Sequence, residues 1–273
     1  TLPSVASMFT GLYPSEHGAI NEETKLKEGI ITIAEYLKKR GYETFMITQN
    51  DGWINPFFGL TKGFNTVFDI EEMIKSVLGV SLRSVGKYVL GYDFLTRLIF
   101  EKQLKRLREP WFSYIHLMDT HLPYEPKTNL FSSFFRYMVL YRNWKHKIWN
   151  SWIDKESFCN KETRMLNKLY DKALIRTDAQ IKTLFSLLTD QKNTIVIITS
   201  DHGENLGEFG LFDHQFSEHD TLIQIPLIIY APFIGAKKIS SLFENKDLFF
   251  IIQKLVDRDF TSLSRDYVYG ENS

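Results

Sequence analysis

The stretch that decides the fold is NTIVIITS, residues Asn193–Ser200. An unbroken run of β-branched residues is typical of a strand in a parallel sheet that is covered on both faces. A long helical pattern, Met165–Leu188, precedes this strand. The same order occurs near the start, where the amphipathic segment Ile30–Arg40 leads into the strand pattern Tyr42–Thr48. Alternating helices and strands predict an α/β sandwich with a largely parallel sheet.

Three more patterns extend this arrangement. Trp111–Met118 and Pro226–Tyr230 are predicted as strands, the second one short and buried, and Asp247–Val256 is predicted as a closing helix. We expect one domain over residues 1–273, truncated at both ends, because the chain opens at Thr1 without a leading strand. An aromatic and basic insertion is expected at residues 127–160.

Composition limits the function classes. The chain has 273 residues, with 33 Lys and Arg against 33 Asp and Glu, so its formal net charge is zero and gives no electrostatic argument for nucleic acid binding. Hydrophobic residues at 44% and charged residues at 24% are ordinary for a globular protein and argue against disorder. No apolar run reaches the length of a membrane helix. A lone Cys159 leaves the compartment open between cytoplasm and export.

Polar clusters follow two of the predicted strands. In parallel sheets ligands collect beyond the carboxyl ends of the strands, which is where Asp201-His202 and Asp119-Thr120-His121 fall. A carboxylate beside an imidazole suits zinc or manganese, whereas calcium favours more oxygens. The alternative for Asp201-His202 is a helix cap followed by a surface histidine. A nearby Asp213-His214 pair favours the metal interpretation.

Two further residues carry open alternatives. Pro123 and Pro126 stiffen the loop of His121, which is either a contact to an anionic substrate, a general acid, or a turn histidine. Asp119 either sets the tautomer of a nearby histidine or belongs to the turn. Thr1 stands before a helical pattern, where a hydroxyl is either an N-cap or a nucleophile at the positive end of the helix.

The insertion at residues 127–160 also has more than one interpretation. Its core, residues 131–152, mixes eight aromatic residues with arginine and lysine. Such a segment is a lid or groove for a sugar with an acidic group, a contact to a membrane surface, or an amphipathic insertion packed on the domain. The last of these is favoured.

The whole set of motifs resembles one known family. The opening TLPSVASMFTG resembles the sulfatase signature: Cys or Ser, any residue, Pro, any residue, Arg, then A-S-L-x-T-G. Further blocks follow in the family's order: YPSEHG, AEYLKKRGYET, KGFNTVFD, MDTHLPYEP, SDHGENLGEFGLFDHQ and IPLIIYAP. The chain is therefore similar to the catalytic domain of the sulfatase branch of the alkaline phosphatase superfamily. The resemblance implies a three-layer α/β/α sandwich.

The resemblance also implies a chemistry. Sulfatases attack a tetrahedral sulfuryl or phosphoryl centre with the help of a divalent cation, here calcium, zinc or manganese. By position, Thr1 matches the nucleophile, which also contacts the metal, and Asp201 and His202 match metal ligands. His121 matches the histidine that contacts the ester oxygens, and His214 falls near a second basic residue that holds substrate or a second metal. The implied substrate is a small-molecule or glycan sulfate or phosphate ester.

Two departures from the signature bear on the substrate. Thr1 cannot become the formylglycine of sulfatases, and Val5 stands where the supporting arginine is expected. Threonine nucleophiles are typical of relatives that handle phosphate, including transferases of phosphoethanolamine or phosphoglycerol. A transferase and a non-catalytic family member are therefore alternatives to a hydrolase. Because the family's leading strand carries further metal ligands, we expect the fragment alone to be inactive.

Overall fold

The computed structural model describes residues 1–78, 91–124, 144–152, 158–215, 217–236 and 238–259. The chain divides into two compact units. Unit 1 comprises Thr1–His116, Leu188–Val196 and Tyr230–Ser273, and unit 2 comprises Leu117–Leu187 and Ile197–Ile229. The single-domain organisation stays a prediction.

Helices and strands alternate along the chain. The helices are α1 Leu2–Thr10, α2 Pro14–His17, α3 Ile33–Lys39, α4 Ile70–Leu78, α5 Tyr92–Leu104, α6 Asn160–Ser186, α7 Asp220–Ile223 and α8 Asp247–Asp257. The strands are β1 Glu43–Thr48, β2 Thr66–Asp69, β3 Trp111–His116, β4 Val196–Thr199, β5 Asn205–Leu206, β6 Phe212–Asp213 and β7 Leu227–Tyr230. Residues 144–152 are also helical. Within the described part of the chain, no helix is both long and apolar enough to cross a membrane.

A parallel sheet forms the centre of unit 1. Its strand order is β2-β1-β3, with Phe45 opposite Thr66 and Thr48 opposite His116. Phe45, Met46 and Ile47 are consecutive and fully buried, so β1 is covered on both faces, as a central parallel strand requires. The predicted α/β class with a parallel sheet is confirmed.

Helix α3 shows how local sequence fixes an element's start. The Thr32 hydroxyl accepts a hydrogen bond from the Glu35 amide (3.2 Å), and the Glu35 carboxylate accepts one from the Thr32 amide (2.9 Å). This capping box satisfies two backbone donors and starts the helix at Ile33, three residues after the predicted start. Gly41 follows with φ of 87°, a conformation that glycine adopts without strain.

The strands β4 and β7 differ from their predictions. A short 3₁₀ turn at Gln191–Asn193 shortens the predicted strand, so that β4 begins at Val196. Every residue of β4 is half-buried, and Ile228 of β7 is 57% exposed. The expectation of buried strands was wrong here because, among the described residues, β4 and β7 pair only with each other and solvent reaches both.

Unit 2 has an apolar core built on α6. The core contains Leu122, Tyr124, Trp144, Ile148, Leu166, Leu169 and Phe212. Most of the predicted insertion lies outside the described residues, but Trp144 and Ile148 belong to it and are buried in this core. The Trp152 indole also donates to the Phe212 carbonyl (2.9 Å), which joins this segment to the strand β6 beside the site.

Candidate active site

Thr1 lies in unit 1, at the N-terminus of α1. Its carbonyl accepts the hydrogen bond of the Val5 amide (2.9 Å), but its hydroxyl makes no capping bond to the helix. Thr1 is therefore the N-cap residue of α1, but its side chain does not cap the helix. Val5 is fully buried, so the position of the signature's arginine lies in the apolar core and supplies no positive charge.

A buried histidine, His17, holds α1 in place, and sequence reasoning assigned it no role. His17 is fully buried, and its Nδ1 accepts a hydrogen bond from the Ala19 amide (3.1 Å). In a neutral ring the hydrogen is then on Nε2, which donates to the Ser7 hydroxyl of α1 (3.1 Å). This pair fixes the orientation of the helix that carries Thr1.

Asp201 and His202 form a pair at the end of β4. The His202 Nδ1 donates to the Gly203 carbonyl (2.8 Å), so in the neutral ring Nε2 carries the lone pair. That Nε2 lies 3.4 Å from the Asp201 carboxylate. Burial lowers the pKa of His202 to about 4, although the charge of Asp201 acts in the opposite direction. The imidazole is therefore neutral at neutral pH. The structure therefore brings the two predicted cation ligands close together, with the acceptor nitrogen of His202 facing the Asp201 carboxylate.

The spacing of this pair fits a shared cation. Ligands at the bond lengths of zinc or calcium are separated by roughly 3.3–3.7 Å around one ion. The observed 3.4 Å lies in that range, so the two residues fit a divalent cation, and the distance does not select among calcium, zinc and manganese.

Gly203 fixes the turn that follows the pair. Its amide donates to the Leu222 carbonyl (2.7 Å), and a Cβ at this position would lie 2.0 Å from the Thr221 carbonyl oxygen. No residue with a side chain fits this contact with α7. The glycine therefore holds Asp201, His202 and the next residue, Glu204, at a defined angle.

His214 is held by two carboxylates. Its Nδ1 lies 3.1 Å from Glu204 and 2.9 Å from Asp213. Burial opposes protonation, but the hydrogen bonds to Asp213 and Glu204 outweigh it and raise the pKa of His214 to about 9. The His214 ring is therefore a cation at neutral pH in this arrangement. The ligand atoms of these three residues also lie within 4.8 Å of one another, so a divalent cation is an alternative to the proton.

Three imidazoles form one cluster in unit 2. The His214 ring stacks on His202 with 4.2 Å between the centroids, and it meets His121 edge to face at 4.8 Å. Of the residues predicted for the site, the structure thus brings together His121, Asp201, His202 and His214, and Thr1 belongs to unit 1. His219 stays outside the cluster, where it precedes α7 and stacks on Phe209 (3.9 Å).

His121 has a defined tautomer. Its Nδ1 donates to the Leu122 carbonyl (2.5 Å), so the neutral ring has its acceptor at Nε2. Burial and, next, the neighbouring His214 lower the pKa of His121 to about 4. Asp119 was a candidate for setting a histidine tautomer, and that interpretation is wrong: its carboxylate binds Arg176 and Gln180 of α6.

Two members of the site were missed by sequence reasoning. Glu204 follows directly on the DHG motif, and its carboxylate is almost fully buried. Tyr124 is 1% exposed and is hydrogen-bonded to Glu204, and its ring packs against Tyr170 at 5.3 Å. Burial raises the pKa of Glu204, and the bond to His214 opposes this rise. No local pattern marks Tyr124, because the contact depends on the packing of the loop against α6.

Solved structures define the class of fold. The crystal structure of the phosphonate monoester hydrolase of Agrobacterium radiobacter matches with a TM-score of 0.67 at 16% identity, covering 93% of this chain and 64% of that one. A protein of the alkaline phosphatase superfamily from Vibrio parahaemolyticus matches with a TM-score of 0.52 at 21% identity, covering 93% and 54%. The chain has the alkaline phosphatase superfamily fold, as its sequence predicted.

Sequence comparison gives the family. The Sulfatase family model matches residues 1–257, and the chain belongs to the sulfatase family. It is 24% identical over 291 residues to the uncharacterized sulfatase YidJ of Escherichia coli (strain K12). The match covers 93% of this chain and 58% of that protein, so the chain spans little more than half the length of this relative.

Proposed function

We propose that the full-length protein hydrolyses a sulfate or phosphate ester with a divalent cation, and that this chain carries most of the reacting groups. The observation that carries the proposal is the cluster of His121, His202 and His214 with the carboxylates of Asp201 and Glu204 at the end of β4. Membership of the sulfatase family supports the reaction class.

Asp201 and His202 are the proposed cation ligands. A bound divalent cation supplies positive charge that stabilises the ester oxygens in the transition state and lowers the pKa of a coordinated hydroxyl. Calcium, zinc and manganese are all compatible with the 3.4 Å spacing of the two ligand atoms. Thr1 is proposed as a third group at this cation, on its position in the signature.

Thr1 is also the proposed nucleophile. Its oxygen attacks the sulfur or phosphorus atom, the bond to the leaving alcohol breaks, and water then releases sulfate or phosphate from the threonine. The Thr1 position at the N-terminus of the nine-residue α1 favours an anionic group there, because the positive end of the helix dipole attracts negative charge.

The two remaining histidines have different proposed roles. His214 is held as a cation by two carboxylates, so its Nε2–H can donate to an anionic ester oxygen. His121 has an unprotonated Nε2 that accepts a proton, and a histidine with a pKa of about 4 does not start the cycle as a general acid. We therefore assign His121 the contact to the ester oxygens, with a proton held at Nε2 only when the anionic substrate is bound.

The substrate class follows from the nucleophile. Threonine gives no formylglycine, and the buried Val5 gives no supporting charge, so the site lacks the two features by which sulfatases handle sulfate. Thr1 therefore favours a phosphorus ester of a small molecule or glycan. The same residue favours the second candidate, a transferase that moves a phosphoethanolamine or phosphoglycerol group to an acceptor hydroxyl.

Hydrolysis of 4-nitrophenyl sulfate, 4-nitrophenyl phosphate and a 4-nitrophenyl phosphonate by the full-length protein tests the proposal. We expect release of nitrophenol from at least one ester, loss of release with EDTA, and recovery with calcium, zinc or manganese. Thr1→Ala should lower the rate at least about 10³-fold, whereas Thr1→Ser keeps a hydroxyl and part of the rate. Ser15→Ala, an exposed hydroxyl on α2, is the control and should not change it.

Each other outcome assigns a different function. Full activity of Thr1→Ala would show that the nucleophile is wrong, and activity that EDTA does not affect would exclude the cation. No hydrolysis, together with group transfer from a lipid donor to an added acceptor, would favour the transferase. Cation binding with neither reaction would favour a non-catalytic family member.

A further inference from the structure

The segment that carries His121 is fixed to unit 2 on both sides of the histidine. On its C-terminal side, Leu122 and Tyr124 are buried in the core against Leu166 and Leu169 of α6. On its N-terminal side, the anchor is polar: Asp119 is 7% exposed although it is ionisable. Burying a carboxylate costs free energy unless the group is paired, so the residues that bind Asp119 are important for holding this segment.

Both oxygens of Asp119 bind the same face of α6. Oδ1 accepts a hydrogen bond from the Arg176 Nε (3.2 Å), and Oδ2 accepts one from the Gln180 Nε2 (2.5 Å). Arg176 and Gln180 are four residues apart and therefore adjacent on the helix surface. The Arg176 side chain is 15% exposed and Gln180 is 9% exposed, so water screens this contact little. We name these three residues the α6 anchor.

The α6 anchor is coupled to His121 by a short turn. The His121 amide donates to the Met118 carbonyl (3.3 Å), which closes a turn that contains Asp119. The His121 ring is then oriented by its bond to the Leu122 carbonyl (2.5 Å). Because only Thr120 lies between Asp119 and His121, a shift of Asp119 moves the imidazole relative to His214.

We infer that Asp119, held by Arg176 and Gln180, is a positioning residue that sets the place of His121 Nε2 for the reacting ester. This inference rests on the proposed function, which gives His121 its contact with the ester oxygens. Asp119 itself bonds to α6 and acts through His121. A displacement of about 1 Å in a reacting group can cost about 100-fold in rate, so the anchor should affect kcat more than KM.

Charge-removing variants at both ends of the pair test this role. Asp119→Asn keeps the shape of the side chain and removes its charge. The Gln180 Oε1 has no hydrogen-bond partner among the described residues, so the Gln180 amide can turn and accept a hydrogen bond from the new asparagine amide. Arg176→Gln removes the positive charge of the partner of Asp119 on α6. The matched control is Asp178→Asn, an exposed carboxylate on the same helix.

Three readouts separate positioning from stability alone. They are kcat and KM of the full-length protein, hydrogen exchange of the amides of residues 117–122, and the imidazole NMR signal of His121, assigned with His121→Ala. We expect Asp119→Asn and Arg176→Gln each to lower kcat about 10- to 100-fold with KM within about threefold. The exchange should become faster and the His121 signal should move. The double variant should be no slower than the slower single one.

Several results would overturn the inference. One is a kcat of Asp119→Asn equal to that of Asp178→Asn, and another is a lower kcat with an unchanged His121 signal and unchanged exchange. If Asp119→Asn does not fold, Gln180→Met removes one hydrogen bond at similar size, and wild-type values for all three readouts would overturn the inference. If the wild-type protein cleaves no ester, the proposed function fails, and the His121 signal and the exchange alone decide: a change supports positioning and no change refutes it.

Discussion

Replacing Gly203 with alanine should damage both the stability and the site. The new Cβ would lie 2.0 Å from the Thr221 carbonyl oxygen and 3.1 Å from the Leu222 Cα, both in backbone. Contacts of a real Cβ begin near 3.0 Å, so the turn and α7 have to separate by about 1.0 Å, the difference between 3.0 and 2.0. Neither partner is the end of a flexible side chain, so the backbone itself has to move.

The free energy of unfolding should fall by about 2–4 kcal/mol in Gly203→Ala. Overpacking of this kind costs about 1–3 kcal/mol. The shift also strains the 2.7 Å bond from the Gly203 amide to the Leu222 carbonyl, worth about 0.5–1.5 kcal/mol. Because Gly203 directly follows His202, the same movement displaces His202, one of the two proposed cation ligands.

Urea unfolding and isothermal titration with zinc, manganese or calcium measure the two effects. The control is Gly235→Ala, since no atom lies within 4 Å of a Cβ there. That variant should stay within about 0.5 kcal/mol of the wild type. An unfolding midpoint and a cation affinity for Gly203→Ala equal to those of Gly235→Ala would refute the steric argument.

Two further predictions concern unit 2. In Glu162→Gln the ion pair with Lys147 (2.7 Å) is lost. The hydrogen bond from Lys147 lowers the pKa of Glu162 from its usual 4.5. The pair therefore stabilises the fold above pH 4.5, and this stabilisation is lost as the pH falls below that value. Urea unfolding should show a loss of about 0.5–1 kcal/mol at pH 7 and none well below pH 4.5, and an equal loss at both would contradict this. Leu166→Ala should cost about 2–4 kcal/mol because Leu166 is 2% exposed in the core, whereas Leu174→Ala on the same helix, 50% exposed, should cost less than about 0.5. Similar midpoints for these two variants would show that the core assignment is wrong.

Local patterns were sufficient for the elements that local interactions determine. The capping box at Thr32 and the apolar spacing of Ile33 and Leu37 mark α3, and the buried run Phe45–Ile47 marks β1. The strand β5 and its partner β6 have two residues each, too few for any period to be visible. The exposure of Ile228 could not be predicted either, because it depends on which strands pair with β7.

The candidate site was also predictable only where local sequence patterns mark its residues. Asp201-His202 and His121 follow strands, so the rule for parallel sheets located them, and the resemblance to sulfatases assigned their roles. Glu204 and Tyr124 join the site through contacts between distant segments: Tyr124 lies 80 residues before Glu204. The bond of Asp119 to Arg176 spans 57 residues and was likewise invisible. Thr1 remains a candidate from the signature alone.

The central claim is that Asp201 and His202 bind a divalent cation on which ester hydrolysis depends. Cation affinity and hydrolysis rate, measured side by side in His202→Ala and in the control His219→Ala, test it most directly. His219 lies outside the imidazole cluster and stacks on Phe209, so its loss should leave both quantities near the wild type. Cation binding by His202→Ala should be at least about 100-fold weaker than that of the wild type, with a matching loss of hydrolysis rate. Wild-type cation affinity and wild-type hydrolysis in His202→Ala would contradict it.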